Sequence, residues 1–258
     1  MTPFAAVPLK DMDPSALSMA ILADAAAIPG MDERNIARAI TAASFLHLNQ
    51  MRANRGRFAA TAYIEHPLRN SLRALRWGVT DEAVIVGILL HDTIEDCLDR
   101  ILDAYAPGPR STLSVQEQRE RGYAWISRDF SPAAADLVRA LTNPVPGPER
   151  LSKEQKREQY ASHVAHAIRG DAAAFIGKFA DFQDNAGGLH HNNVPGNEGM
   201  VAHLAAKYGP VVDVFTAELE ANHGNIMALV SQQGLDEITT KLGSLKGRLS
   251  ALETACAA

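Results

Sequence analysis

Residues Ala83 to Asp96 read Ala-Val-Ile-Val-Gly-Ile-Leu-Leu-His-Asp-Thr-Ile-Glu-Asp, so that eight small or apolar residues run straight into His91, Asp92, Glu95 and Asp96. At helical periodicity these four polar groups fall at i, i+1, i+4 and i+5, which gathers them on one side of a single turn. Burying such a cluster without compensation costs roughly 2–7 kcal/mol per unpaired neutral polar group and more for a charge, so the stretch calls for a cation. A neutral imidazole beside a carboxylate is a mixed nitrogen and oxygen pair suited to Mn²⁺, Fe²⁺ or Zn²⁺. Glu95 and Asp96, one turn on, can handle protons around a coordinated water. The competing reading is a helix end with solvated acids, which a lone His-Asp dipeptide favours. The metal reading therefore depends on ligands supplied from elsewhere in the chain.

With 258 residues, 47% of them hydrophobic, the chain can bury a real core in one domain with or without appended helices. Its longest apolar run is the one above, far short of the ~18–20 residues of a membrane span. The N-terminus has no basic region followed by a hydrophobic one. Cys97 and Cys256 have no Cys-x-x-Cys spacing and are too few for a disulfide framework. These features predict a cytoplasmic protein with no membrane partner. A net charge of −5 argues against general binding along nucleic-acid phosphates.

Residues 1–14 read as an irregular lead-in and 15–27 as a short helix closed by Pro29-Gly30. Asp32 is placed to cap a second helix on which Ile36, Ile40, Ala43 and Leu46 form a core-facing stripe. His47 lies near that stripe with no acid or second histidine one turn away, which suits packing better than ligation. Arg52, Arg55 and Arg57 then supply three guanidinium groups in a basic loop, suited to binding phosphates and stacking on a base. Pro67 fits the first position of the next helix, which puts His66 at its cap and free to point into a pocket. That helix runs to Arg76, turns at Trp77-Gly78, and is followed by the central helix, which Thr80 is placed to cap. His66 and His91 thus stand at the start and the end of consecutive helices and can converge.

Beyond Cys97 the spacing predicts a short helix, a Pro-Gly-Pro break at 107–109, a helix capped by Ser114 with Glu117, and another from Ser131-Pro132 to Leu141. The run Asn143-Pro144-Val145-Pro146-Gly147-Pro148 reads as a rigid break. A charged helix follows over 152–168. Residues 172–188 form an apolar helix into which Lys178, Asp181 and Asn185 are set at i, i+3 and i+7, one face with a cation, a carboxylate and an amide. Asp181 can supply a missing ligand. The pairs His163/His166 and His190/His191 lack a neighbouring acid or sit in a loop, and are read as structural. Residues 201–222 give another helix, and the tail from Gly224 a further helical piece or pair. No repeat and no strand-like alternation stands out.

Three segments together resemble a known family: Tyr63-Ile64-Glu65-His66-Pro67-Leu68, then Leu89-Leu90-His91-Asp92-Thr93-Ile94-Glu95-Asp96, then Lys178-Phe179-Ala180-Asp181 with Asn185. They are similar to the hydrolase half of RelA/SpoT proteins and the stand-alone small alarmone hydrolases, over roughly residues 35–220. The resemblance implies an all-α fold, the HD-domain helical bundle, and one Mn²⁺ per chain held by His66, His91, Asp92 and Asp181. It implies that Glu95 and Asp96 orient or activate the attacking water, that Arg55 stacks on the purine, and that Asn185 and Tyr208 contact ribose and phosphates. The chain departs from the family at Gly56 to Ala62, at Ala186-Gly187-Gly188, and in a longer stretch between Asp96 and Ser131. These departures bear on base and phosphate recognition more than on the chemistry.

The expectation is therefore an N-terminal extension over 1–32, a metal-dependent phosphohydrolase domain over 33–222 and a helical tail over 223–258. Its substrate would be a purine alarmone of the (p)ppGpp type, with Arg52, Arg55, Arg57 and Lys178 neutralising phosphates. Two alternatives stay open. One is an HD phosphohydrolase for another nucleotide, such as (p)ppApp, a dNTP or NADPH. The other is a regulatory nucleotide-binding module without turnover.

Overall fold

The computed structural model describes residues 7–55, 58–145, 147 and 150–257. The protein is all-α, and the sheet found among the described residues is a single two-stranded hairpin. None of the described helices is long and apolar enough to cross a membrane. The chain divides into two compact units, one of residues 1–50 and 62–147, the other of residues 51–61 and 148–258.

The first unit is built around the apolar stretch. α1 (Pro14–Ala26) packs on α2 (Glu33–Leu46) and α3 (Glu65–Arg76), and both α2 and α3 pack on α4 (Glu82–Leu90). Every residue of α4 from Val84 to Leu90 is buried. α5 (Thr93–Asp96), α6 (Leu98–Ala104), α7 (Val115–Asp129) and α8 (Pro132–Leu141) follow, with α8 on α4 and α7 on α8. Gly87 makes the α4–α8 contact possible, because a Cβ there would lie 2.6 Å from Leu137 Cδ2. The stripe Ile36, Ile40, Ala43 and Leu46 is buried, and the Asp32 carboxylate caps α2 by accepting from the Arg34 N–H. Ser114 and Glu117 form the capping box of α7.

Three local expectations are corrected. α3 starts at Glu65, so His66 is its second residue and Pro67 its third. Pro67 still falls where the helix needs no N–H donor. The cap of α4 is Asp81, whose carboxylate accepts from the Ala83 N–H, and not Thr80. The acidic cluster does not continue one helix, because α4 stops at Leu90 and α5 begins at Thr93. His91 Nδ1 lies 2.8 Å from the Ile88 carbonyl and Thr93 Oγ1 donates to the Leu90 carbonyl at 2.7 Å, so side chains take the acceptors that the next helical turn would use.

In the second unit, the segment expected as a basic loop is a hairpin of β1 (Met51–Arg55) and β2 (Phe58–Ala62). Backbone pairing makes a strand here without any alternation of apolar side chains. α9 (Lys153–Ile168) packs on α10 (Ala172–Asn185) and on α11 (Glu198–Ala221), which carries α13 (Gln232–Ala257) along its length. α12 (His223–Leu229) packs on α10, and a 3-10 turn spans Leu189–Asn192. The core is aromatic: the Phe215 ring lies 5.5, 5.2 and 5.1 Å from those of Phe175, Phe179 and Phe182. The sequence boundaries at residues 32 and 222 do not coincide with the division into units.

Candidate metal centre

His66, His91 and Asp92 come together in the first unit, each offering one ligand atom within 4.8 Å of the others. His91 closes α4, and His66 rides on the first turn of α3, where its N–H bonds the Tyr63 carbonyl at 2.9 Å. Their rings stand 5.3 Å apart, tilted by 56°. Both imidazoles are buried, at 2% and 4% exposure, and both aim Nε2 at one oxygen. Asp92 Oδ2 is 3.1 Å from His91 Nε2 and 3.6 Å from His66 Nε2.

These separations suit a shared cation. Metal–ligand bonds of about 2.0–2.2 Å put neighbouring donors about 3–4 Å apart. In a neutral His91 ring the Ile88 carbonyl requires the proton on Nδ1, which leaves the Nε2 lone pair for ligation. Two imidazole nitrogens and a carboxylate oxygen form a set that Mn²⁺, Fe²⁺ or Zn²⁺ accepts.

The Asp92 side chain is 20% exposed, and its partial desolvation alone would raise its pKa. Positive charge on the His91 and His66 rings in the metal-free chain, with the Tyr63 phenol donating at 2.7 Å, overcomes this and holds it well below the usual carboxylate range. Asp96 shifts the other way. Partial desolvation, followed by the charge of Asp92, raises its carboxyl, although much of the residue stays open to solvent. Glu95 is held by Asn143, whose backbone N–H donates to Oε1 and whose Nδ2 donates to Oε2 at 3.1 Å.

Behind the site, α3 carries an unusual load of buried polar side chains. Arg69 Nη1 meets Glu65 Oε2 at 3.0 Å, Arg73 Nη1 donates to Asn70 Oδ1 at 2.9 Å, and Asn70 Nδ2 lies 3.4 Å from His66 Nε2. His47 is a packed histidine. It stacks on Tyr63 at 4.7 Å, with Nδ1 2.7 Å from Gln50 Oε1.

The remaining expected site residues belong to the second unit, where several share a network. Arg52 Nη2 donates to Asn185 Oδ1 at 2.5 Å, and Asn185 Nδ2 donates to Asp181 Oδ1 at 2.6 Å. Arg52 Nη1 also lies 3.5 Å from the buried Asp184 carboxylate, so this guanidinium bridges Asn185 and Asp184. Tyr208 is buried against Phe182, with rings 5.6 Å apart. Burial, with the Asp181 carboxylate behind it, pushes its phenol up to about 12. Lys178 is buried on α10. Arg55 lies in β1, but its side chain is outside the described residues, as is the whole of Arg57.

Sequence reasoning missed the roles of Tyr63, Asn70, Asn143 and Asp184. Tyr63 sits three residues before His66, and Asp184 stands at i+3 from Asp181 on the same helix. Both spacings were available as signals. The contact of Asn143 with Glu95 spans 48 residues of sequence and has no local signature. Compared with known proteins, the chain matches no family model and no curated protein at a significant level.

Proposed function

We propose that the protein is a metal-dependent phosphohydrolase of the HD type that removes the 3′-pyrophosphate from a purine alarmone of the (p)ppGpp kind. The observation that carries this reading is the convergence of His66, His91 and Asp92 on one point, with Glu95 fixed one turn beyond Asp92. Asp181 is proposed as the fourth ligand and Mn²⁺ as the metal, both on the resemblance of the sequence motifs. A bound divalent ion would polarise the phosphoryl group and lower the pKa of water at the site.

The side chains supply the rest. Glu95 and Asp96 steer the attacking water and pass its proton. The water oxygen bonds to the phosphorus attached to the ribose 3′ oxygen, the P–O3′ bond breaks, and a proton ends on the 3′ oxygen. The products are the 5′-di- or triphosphate nucleotide and pyrophosphate. Lys178, Asn185, Tyr208 and the arginines at 52, 55 and 57 are the proposed substrate contacts, with guanine proposed over adenine.

Incubating the Mn²⁺-loaded protein with ppGpp, ppApp, dNTPs and NADPH, and resolving products by chromatography, tests the proposal. Release of pyrophosphate from a 3′,5′-bispyrophosphate is the expected fastest reaction. Faster release of triphosphate from a dNTP would leave only the broader HD phosphohydrolase. Tight nucleotide binding without turnover would make the protein a regulatory module.

A further inference from the structure

Asn143 stands two residues beyond the end of α8 and immediately before Pro144. Thr142 closes the helix, with both its N–H and its Oγ1 on the Val138 carbonyl at 2.9 and 2.7 Å. The proline after Asn143 bars a further helical turn and favours extended backbone. The Asn143 N–H therefore points out of the helical ladder. It donates to Glu95 Oε1 while the side-chain amide donates to Oε2, one donor for each carboxylate oxygen. The remaining backbone group of Asn143 is also held. Its carbonyl accepts from Arg119 Nη1 at 2.7 Å, and Arg119 lies on α7, which packs on both α8 and α5.

A glutamate has three rotatable side-chain bonds, and one hydrogen bond would leave its carboxylate free to swing. Two donors in a fork fix both its direction and its plane. We infer that Asn143 is the positioning residue of Glu95, and that Arg119 acts through the Asn143 carbonyl to keep the fork in place. This gives the long segment between Asp96 and Ser131 a role in the reaction. α7 aims the glutamate through Arg119 and Asn143. The inference rests on the proposed function, in which Glu95 steers the water.

The test is a set of double-mutant cycles on the metal-loaded full chain, with kcat, KM, metal content and thermal midpoint measured for each variant. Asn143→Ala is expected to lower kcat by about 10–100-fold at unchanged KM and metal content, the scale of a displaced catalytic group. In a Glu95→Gln background the same change should cost about twofold or less, because the two residues act as one unit. Arg119→Ala should show the same signature more weakly, and Arg119→Lys should recover it. Should Asn143→Ala fail to fold, Asn143→Asp keeps the size and the backbone donor while turning a carboxylate oxygen towards Glu95. It should lose kcat at unchanged metal content, the repulsion between the two carboxylates also lowering the thermal midpoint at neutral pH. An unaltered kcat in Asn143→Ala, or a full multiplicative loss in the Glu95→Gln background, overturns the inference while leaving the proposed function standing. A wild-type protein that turns over no nucleotide overturns both.

Discussion

Tyr63 donates its phenolic hydrogen bond to Asp92 Oδ2 at 2.7 Å, the same oxygen that both His91 Nε2 and His66 Nε2 face. The stack of His47 on the Tyr63 ring sets the direction of that donor. Groups that orient a ligand from behind commonly matter about 10–100-fold in metal affinity. Tyr63→Phe should weaken Mn²⁺ binding by about that factor with the fold intact. Titration of the metal into the apo variant reads this directly, and wild-type affinity would remove Tyr63 from the support of the site.

Two substitutions separate holding the metal from moving protons. Asp181→Ala should lose metal and activity together. Glu95→Gln should keep metal and nucleotide binding while losing about 10²–10⁴ in turnover, the usual worth of a general acid–base group. Metal analysis of the purified variants decides both roles. Undiminished metal in the first would take Asp181 out of the ligand set, and depleted metal in the second would make Glu95 a ligand.

The α4–α8 contact predicts a stability effect away from the chemistry. Gly87→Ala places a methyl 2.6 Å from Leu137 Cδ2, inside a buried helix pair. Overpacking of this kind costs about 1–3 kcal/mol, more than the gain in helix propensity of alanine over glycine, about 1 kcal/mol. Urea denaturation should show the loss. Adding Leu137→Ala should destabilise less in the Gly87→Ala background than in the wild type, and equal costs in the two backgrounds would contradict the steric account.

His163 sets a pH dependence in the second unit. Burial first, then the positive charge of Lys178 and the neighbouring His166, lowers its pKa from 6.5 to about 4. Its Nε2 is buried with no hydrogen-bond partner among the described residues. Between those two values the unfolded chain binds a proton that the folded chain does not, so stability falls as pH drops from 6.5 towards 4. Above 6.5 the contribution is complete and constant. His163→Leu should flatten that part of the stability curve in denaturant titrations at a series of pH values. A slope as steep as wild type would show that other groups carry it.

The all-α class was legible because apolar spacing and caps agree. Ile36, Ile40, Ala43 and Leu46 face inward as their period predicts, and Asp32, Ser114 and Ser131 cap the helices they precede. The meeting of His66 with His91 was legible from two helices joined at Gly78, whose φ of +89° suits a residue without a side chain. The choice between Thr80 and Asp81 was not, since adjacent residues both able to cap are told apart only by where the chain enters the helix. The hairpin at Met51–Ala62 escaped because its order comes from backbone pairing and not from an apolar face. The buried pairs Glu65–Arg69 and Asn70–Arg73 escaped because charged residues on a helix read as a solvated face until their surroundings are known. The fork of Asn143 on Glu95 joins segments that nothing local connects.

All of the hairpin but Ala62, the last residue of β2, groups with a unit whose helices begin only after residue 147. During synthesis the strands emerge well before any helix they are meant to join, and the whole of 62–147 is made in between. A ribosome stalled near residue 147, or a protease cut there, would leave the first unit with a basic ribbon lacking its partners. A fragment beginning at 148 would in turn lack Arg52, the cation beside Asp184. Expression of either half alone is expected to fail where the intact chain succeeds, and the second unit can be complete only once the C-terminal half of the chain has been translated.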